Sequence, residues 1–215
     1  MHWMIFLVLT VFAAPLAAHP HIFINTGLVF SVDDRNRLTH VQITWEYDEF
    51  FSLLMTEDLG VDADYDGVLT EADLELLAGF DMNWIEGYNG DLVGEQSGVA
   101  LTLSPPTQPT ATMEDGKIIT THVRYVLDPP ALDAPVVFRP YDASYYTAYE
   151  VRRPVRVQGS TGCDITLNEP DIAGALAMLQ AELNAMPYDY DMEAAGLGNI
   201  GGRFATEVRL TCAAS

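Results

Sequence analysis

Basic residues are scarce in this 215-residue chain: 10 Lys and Arg stand against 31 Asp and Glu, a formal charge of −21. Such a chain repels the phosphates of nucleic acid and anionic lipid, which excludes both as general partners and leaves cations and basic surfaces. Cysteine is almost missing. Cys163 and Cys212 are the only two, most simply a disulfide in an oxidising compartment; a pair of metal thiolates is the alternative, against which the missing Cys-x-x-Cys spacing speaks. Catalytic signatures are missing too: no His-Glu-x-x-His, Gly-x-Ser-x-Gly or phosphate loop occurs, so the expectation is a protein that is not an enzyme. A Ser/His/Asp set stays open, because such groups meet in space rather than in sequence. Gly196-Leu-Gly198-Asn-Ile-Gly201 spells a dinucleotide fingerprint, but no strand precedes it, and it reads as a flexible loop after Met186 to Asp191.

Long apolar runs are confined to the first residues. Met1 to Phe12 is apolar but shorter than the roughly 20 residues of a membrane span, and it closes on Ala13, Ala14, Pro15, Leu16, Ala17 and Ala18. This predicts a secretory signal peptide over 1–18 with cleavage after Ala18, and a periplasmic or secreted product. The stretch before the apolar run lacks Lys and Arg, which keeps a retained anchor as the alternative. Residues 19–215 are then one domain without a transmembrane segment.

What is present reads as an α+β fold with a mainly antiparallel sheet. Ile22 to Val32 alternates as a half-buried strand does, Asp33 to Arg37 is a turn, and Leu38 to Tyr47 returns as the second arm of a hairpin. Helical spacing follows over Asp48 to Leu59, with Phe50, Phe51, Leu54 and Met55 on one face, and again at Leu74, Leu76, Leu77 and Phe80. These form an inserted helix-loop-helix at about 48–95. Val99 to Leu103, Ile118 to Leu127, Val136 to Tyr141, Ala148 to Val157 and Thr206 to Cys212 read as strands, and Ser104 to Gly116 as a Pro/Thr loop. Asp171 to Ala185 is expected to be a C-terminal helix striped by Ile172, Leu176, Leu179 and Leu183.

Between the two inserted helices, Asp62-Ala-Asp64-Tyr-Asp66-Gly67-Val68-Leu69-Thr70-Glu71-Ala72-Asp73 matches the twelve-residue EF-hand loop. Asp62, Asp64 and Asp66 occupy positions 1, 3 and 5, where carboxylates converge on a hard cation. Gly67 permits the turn, the carbonyl of Val68 supplies position 7, and Thr70 stands at position 9. Asp73 replaces the bidentate Glu of position 12; one methylene shorter, it predicts weaker Ca²⁺ binding or a more Mg-like site. The bland reading is an acidic solvated turn, and three alternating Asp repel one another enough without a cation to favour the metal loop.

A second candidate site starts at His19-Pro20-His21. Residues two apart in an extended segment point the same way, so both imidazoles can meet one ion, and imidazole suits Zn²⁺ and its transition-metal neighbours. Further ligands must come from elsewhere, with Asp48, Glu49, His122 and Asp142 as candidates. A polar terminus holding two histidines by chance accounts for the same spacing.

The ordered set His19-Pro20-His21-Ile22-Phe23-Ile24, Trp45-Glu46-Tyr47-Asp48-Glu49-Phe50-Phe51-Ser52, the acidic loop, Tyr141-Asp142-Ala143-Ser144-Tyr145-Tyr146, and Arg203-Phe204-Ala205 ahead of Cys212 resembles one family across essentially all of 19–215. It is the exported domain-of-unknown-function family numbered 1007. The resemblance implies a periplasmic component of a transport system, found alongside transporters for zinc, nickel or cobalt, and hence a metal-handling accessory role with a membrane metal transporter as partner. It places His19 and His21 first among the ligands, then Asp48 and Asp142. Two alternatives differ in class: a Ca²⁺-stabilised interaction module in which the histidines are incidental, and a copper enzyme using His19 as an N-terminal brace.

Overall fold

The computed structural model describes residues 20–185 and 199–213. The expected signal peptide, His19 and the loop expected around Met186 to Gly198 lie outside the described residues. Eleven strands and three helices follow in the order β1 (Ile22–Val32), β2 (Leu38–Tyr47), α1 (Glu49–Leu59), α2 (Glu71–Leu77), β3 (Leu92–Gln96), β4 (Val99–Ala100), β5 (Thr107–Glu114), β6 (Lys117–Tyr125), β7 (Val136–Pro140), β8 (Thr147–Glu150), β9 (Val155–Gln158), β10 (Cys163–Asn168), α3 (Ile172–Ala185) and β11 (Glu207–Cys212).

The strands divide into two sheets where one was expected. The larger runs β5-β6-β2-β1-β8, with β9 also on β1; the smaller runs β10-β11-β7-β3-β4. All pairings are antiparallel except those of β1 with β8 and β9, which are parallel. The mixed α+β class with a mainly antiparallel arrangement therefore holds, as does the C-terminal helix. Alternation on β2 sends Val41, Ile43, Trp45 and Tyr47 inward, and β1 contributes Leu28 and Phe30 to the same core. From the smaller sheet, Phe138, Val208 and Leu210 meet them; the rings of Phe30 and Phe138 lie 5.1 Å apart. Each of these fully buried side chains contributes about 1.5–3 kcal/mol of transfer free energy.

Several expectations change for identifiable reasons. Ser104 to Gly116 is not a loop: β5 pairs with β6 along most of it. Thr is a good strand former, and Pro109 is tolerated because β5 is an edge strand with a register shift between Thr107 and Thr110. Ala148 to Val157 is two strands rather than one. The break at Arg153 and Pro154 lies against Gly27, where an added Cβ would come within 2.9 Å of the Arg153 Cβ, so only glycine admits the crossing. On α1 the inward face is Phe51, Met55 and Leu59, whereas Phe50 and Leu54 are exposed. The stripe on α3 buries none of its residues, because apolar spacing specifies a face without specifying what covers it.

Candidate functional site

The acidic loop begins where α1 stops. Gly60 takes φ 67° and donates back to the carbonyls of Glu57 and Thr56, and buried Val61 pins the exit of the helix. Asp62 then adopts a left-handed φ of 51°, Tyr65 one of 56° and Gly67 one of 75°, curling the chain so that alternate side chains turn inward. One carboxylate oxygen from each of Asp62, Asp64 and Asp66 lies within 4.8 Å of the others, and among the described residues no other group of three His, Cys, Asp or Glu does so. The Gly67 N–H donates to both oxygens of Asp62 at 3.2 Å, and the Val68 N–H to Asp66 Oδ1 at 2.7 Å. Leu69 packs on the core.

The far end of the loop is organised differently. Thr70 caps α2, and Asp73 closes a capping box: its Oδ2 accepts from the Thr70 N–H at 2.9 Å and from the Thr70 hydroxyl at 2.7 Å. These bonds from Thr70 hold the Asp73 carboxyl below its usual range. The fold thus brings Asp62, Asp64 and Asp66 together and leaves Thr70 and Asp73 bonded to each other.

Three of the second set of candidates gather at the start of β1. The His21 N–H donates to the Tyr146 carbonyl at 2.8 Å and its ring lies 4.9 Å from that of Tyr146. Asp48 caps α1 by accepting from the Phe51 N–H, and its second oxygen accepts from the Phe23 N–H, both at 2.8 Å. Asp142 accepts from the N–H groups of Ser144 and Thr147. His21, Asp48 and Asp142 thus ring one sheet end without meeting within the distance that unites the loop carboxylates. His122 is elsewhere. It sits on β6 opposite Ile43, which pairs with Leu28 on β1, seven residues and roughly 20 Å along the strand from His21, so the fold does not bring it to the histidine terminus. Cys163 and Cys212 face each other in the β10–β11 ladder and are joined as a disulfide.

His122 belongs to a buried polar cluster that no motif announced. Its ring is 1% exposed and lies 4.7 Å from Trp45 and 5.7 Å from Trp84, with neither nitrogen bonded to a described residue. Burial, reinforced by the nearby Arg124 charge, pushes its pKa down to about 3, so the ring is neutral at physiological pH. Nearby, Asp81 Oδ2 accepts from the Tyr47 hydroxyl at 2.6 Å and the Thr120 hydroxyl at 2.8 Å. Burial raises the Asp81 pKa against those bonds. Asp91 similarly accepts from the Tyr149 hydroxyl at 2.9 Å, and burial raises it as well. Its members come from β2, β6, β8 and the segment after α2, an assembly made by strand register and by the path of the chain after α2.

The family model described as "Protein of unknown function (DUF1007)" matches residues 4–212. No curated protein matches the chain. Among the described residues no helix is long and apolar enough to cross a membrane.

Proposed function

Proceeding from a chain that belongs to the DUF1007 family of unknown function, we propose that it is an exported divalent-cation-binding protein. It acts as a periplasmic metal-handling accessory to a transition-metal (Zn/Ni/Co-type) membrane transporter. In this reading the α1–loop–α2 segment is an EF-hand-like Ca²⁺ site. The observation that carries the cation reading is the approach of Asp62, Asp64 and Asp66 to within 4.8 Å of one another. Oxygens bound to Ca²⁺ at 2.3–2.6 Å lie no more than about 5 Å apart, so the three carboxylates stand at ligand spacing, where the ion offsets their repulsion. Val68 adds its carbonyl, and water fills the remaining positions. Drawing Asp73 to the ion breaks its capping box at a cost of about 1 kcal/mol, which places the affinity toward the weak, roughly 10⁻⁴–10⁻³ M class of extracellular modules.

The transition-metal role is supported by the family resemblance and by the convergence of His21, Asp48 and Asp142 on one sheet end. The interaction-module alternative draws support from Phe50, Leu53 and Leu54, apolar and exposed on α1 beside the loop. Calorimetric titration of the mature protein with Ca²⁺ and with Zn²⁺ separates these. In the accessory role, Asp62→Asn, Asp64→Asn and Asp66→Asn together abolish Ca²⁺ binding and spare Zn²⁺, while His19→Ala with His21→Ala abolishes Zn²⁺ and spares Ca²⁺. Zn²⁺ binding that survives the double histidine substitution, or fails in the parent, removes the transporter role and leaves the Ca²⁺-stabilised module. Absence of Ca²⁺ binding removes the cation reading of the loop.

A further inference from the structure

Arg124 is a buried cation with no anion beside it among the described residues. It is 4% exposed, on β6 two residues from His122. Its Nε donates to the Ser104 carbonyl at 2.9 Å, Nη1 donates to the Asn89 carbonyl, and the Trp84 ring lies 5.0 Å from Cζ. No carboxylate among the described residues pairs with it. A guanidinium removed from water ordinarily finds a carboxylate or phosphate, because an uncompensated buried charge costs several kcal/mol. Its remaining arm, Nη2, has no partner among the described residues and retains solvent contact.

That arm belongs to a residue lining an open cleft of about 410 Å³, whose other walls include Met82, Trp84, Ile85, Leu103 and Pro106. Polar and apolar surface line it in nearly equal measure, with Arg124 the buried cation among the polar groups and Met82, Ile85 and Leu103 on the apolar side. The packing that poses the two central groups is tight. Gly90, at φ 70°, passes so close that an added Cβ would lie 2.2 Å from Trp84 Cη2 and 2.9 Å from Arg124 Nη1.

We propose that this cleft binds a small monocarboxylate with an apolar or aromatic body, its carboxylate on the free arm of Arg124 and its body against Trp84 and Ile85. The charge of the ligand follows from the surroundings. Two of the three guanidinium nitrogens are committed to carbonyls, so one arm remains rather than the full fork that grips a phosphate. Glu86 also lines the cleft and the chain carries −21, so a dianion meets repulsion that a single negative charge largely escapes. The body follows from the walls: an aromatic ring buries apolar surface against Met82, Ile85 and Leu103 and stacks on the indole.

The test is calorimetric titration of the full chain with benzoate, benzyl alcohol and inorganic phosphate. The expected result is saturable benzoate binding at least about tenfold tighter than either of the others, the factor that about 1.4 kcal/mol produces. Arg124→Met removes the preference for benzoate over benzyl alcohol. Because Arg124 is buried and that variant can fail to fold, Glu86→Lys provides the second arm: Glu86 is exposed on the cleft wall, so the fold survives, and a cation in place of a carboxylate at the rim tightens benzoate by about fivefold or more while leaving benzyl alcohol within about twofold. Benzoate binding no tighter than benzyl alcohol, phosphate binding as tightly as benzoate, or a Glu86→Lys variant that binds benzoate as the parent does would each overturn the proposal.

Discussion

The acidic loop and the cluster around His122 are both dense in ionisable groups, and they handle charge in opposite ways. In the loop Asp62 is partly exposed, Asp64 and Asp66 are exposed, and like charges are held together by backbone geometry. In the cluster Asp81 and Asp91 accept hydroxyls from Tyr47, Thr120 and Tyr149, and His122 stays neutral between two indoles. Water can screen the first group, so its energetics depend on what ion it meets. The second group has little water to draw on, so its energetics are those of the fold itself.

Substitution sharpens that contrast. Asp81→Ala leaves the hydroxyls of buried Tyr47 and Thr120 without an acceptor, and the expected loss is about 3 kcal/mol in denaturant unfolding. A loss below about 1 kcal/mol would mean that the cluster is hydrated and the contrast false.

Acid sharpens it next. The pKa of His122 is lowered on folding from its ordinary 6.5 to about 3, so the unfolded chain takes up the proton first. Its contribution to stability is complete above about pH 6.5 and is lost as pH falls toward 3, which at pH 5 amounts to about 2 kcal/mol relative to pH 8. The raised pKa of Asp81 acts in the other direction, favouring the fold as pH falls. Comparing the parent with His122→Leu isolates the histidine. The variant should lose that part of the slope between pH 8 and 5, and an unchanged slope would show that the ring titrates normally.

The smallest effect belongs to the loop. In chelator, Asp64→Asn relieves repulsion among exposed carboxylates, and the expected change is a gain of no more than about 0.5 kcal/mol. A loss above 1 kcal/mol in the absence of divalent cation would place Asp64 among the structural residues instead.

The same contrast governs what could be read from the amino acids. The clustering of the three loop carboxylates was legible because it is local: three Asp at alternate positions and Gly67, at positive φ, fix their own geometry within six residues. The β1–β2 hairpin and the Cys163–Cys212 bridge were legible for similar reasons, from alternation and from a lone cysteine pair. Asp73 shows the limit even there. It sits at the twelfth position of the loop and also at the third of α2, and the capping role is the one it plays. The buried cluster was out of reach because Tyr47, Asp81 and Thr120 are joined only by the β2–β6 register and by the path of the chain after α2. Spacing along a sequence carries none of that. The one faint signal was a histidine amid Thr120, Thr121 and Val123, a strand context in which a polar ring on the inward face must be buried. β5 was missed for the converse reason, since Pro105, Pro106 and Pro109 signal a loop wherever the pairing partner is unknown.

The claim that the Asp62–Asp66 loop holds a divalent cation is tested most directly by thermal unfolding of the mature protein in excess Ca²⁺ and in chelator, beside the variant carrying Asp62→Asn, Asp64→Asn and Asp66→Asn. At about 100 times Kd, an ion bound only to the folded chain adds about 2.7 kcal/mol, a rise of about 5 °C or more in Tm. The account predicts that rise in the parent and none in the variant. Equal Tm with Ca²⁺ and with chelator in the parent, or the same rise in both proteins, would contradict it.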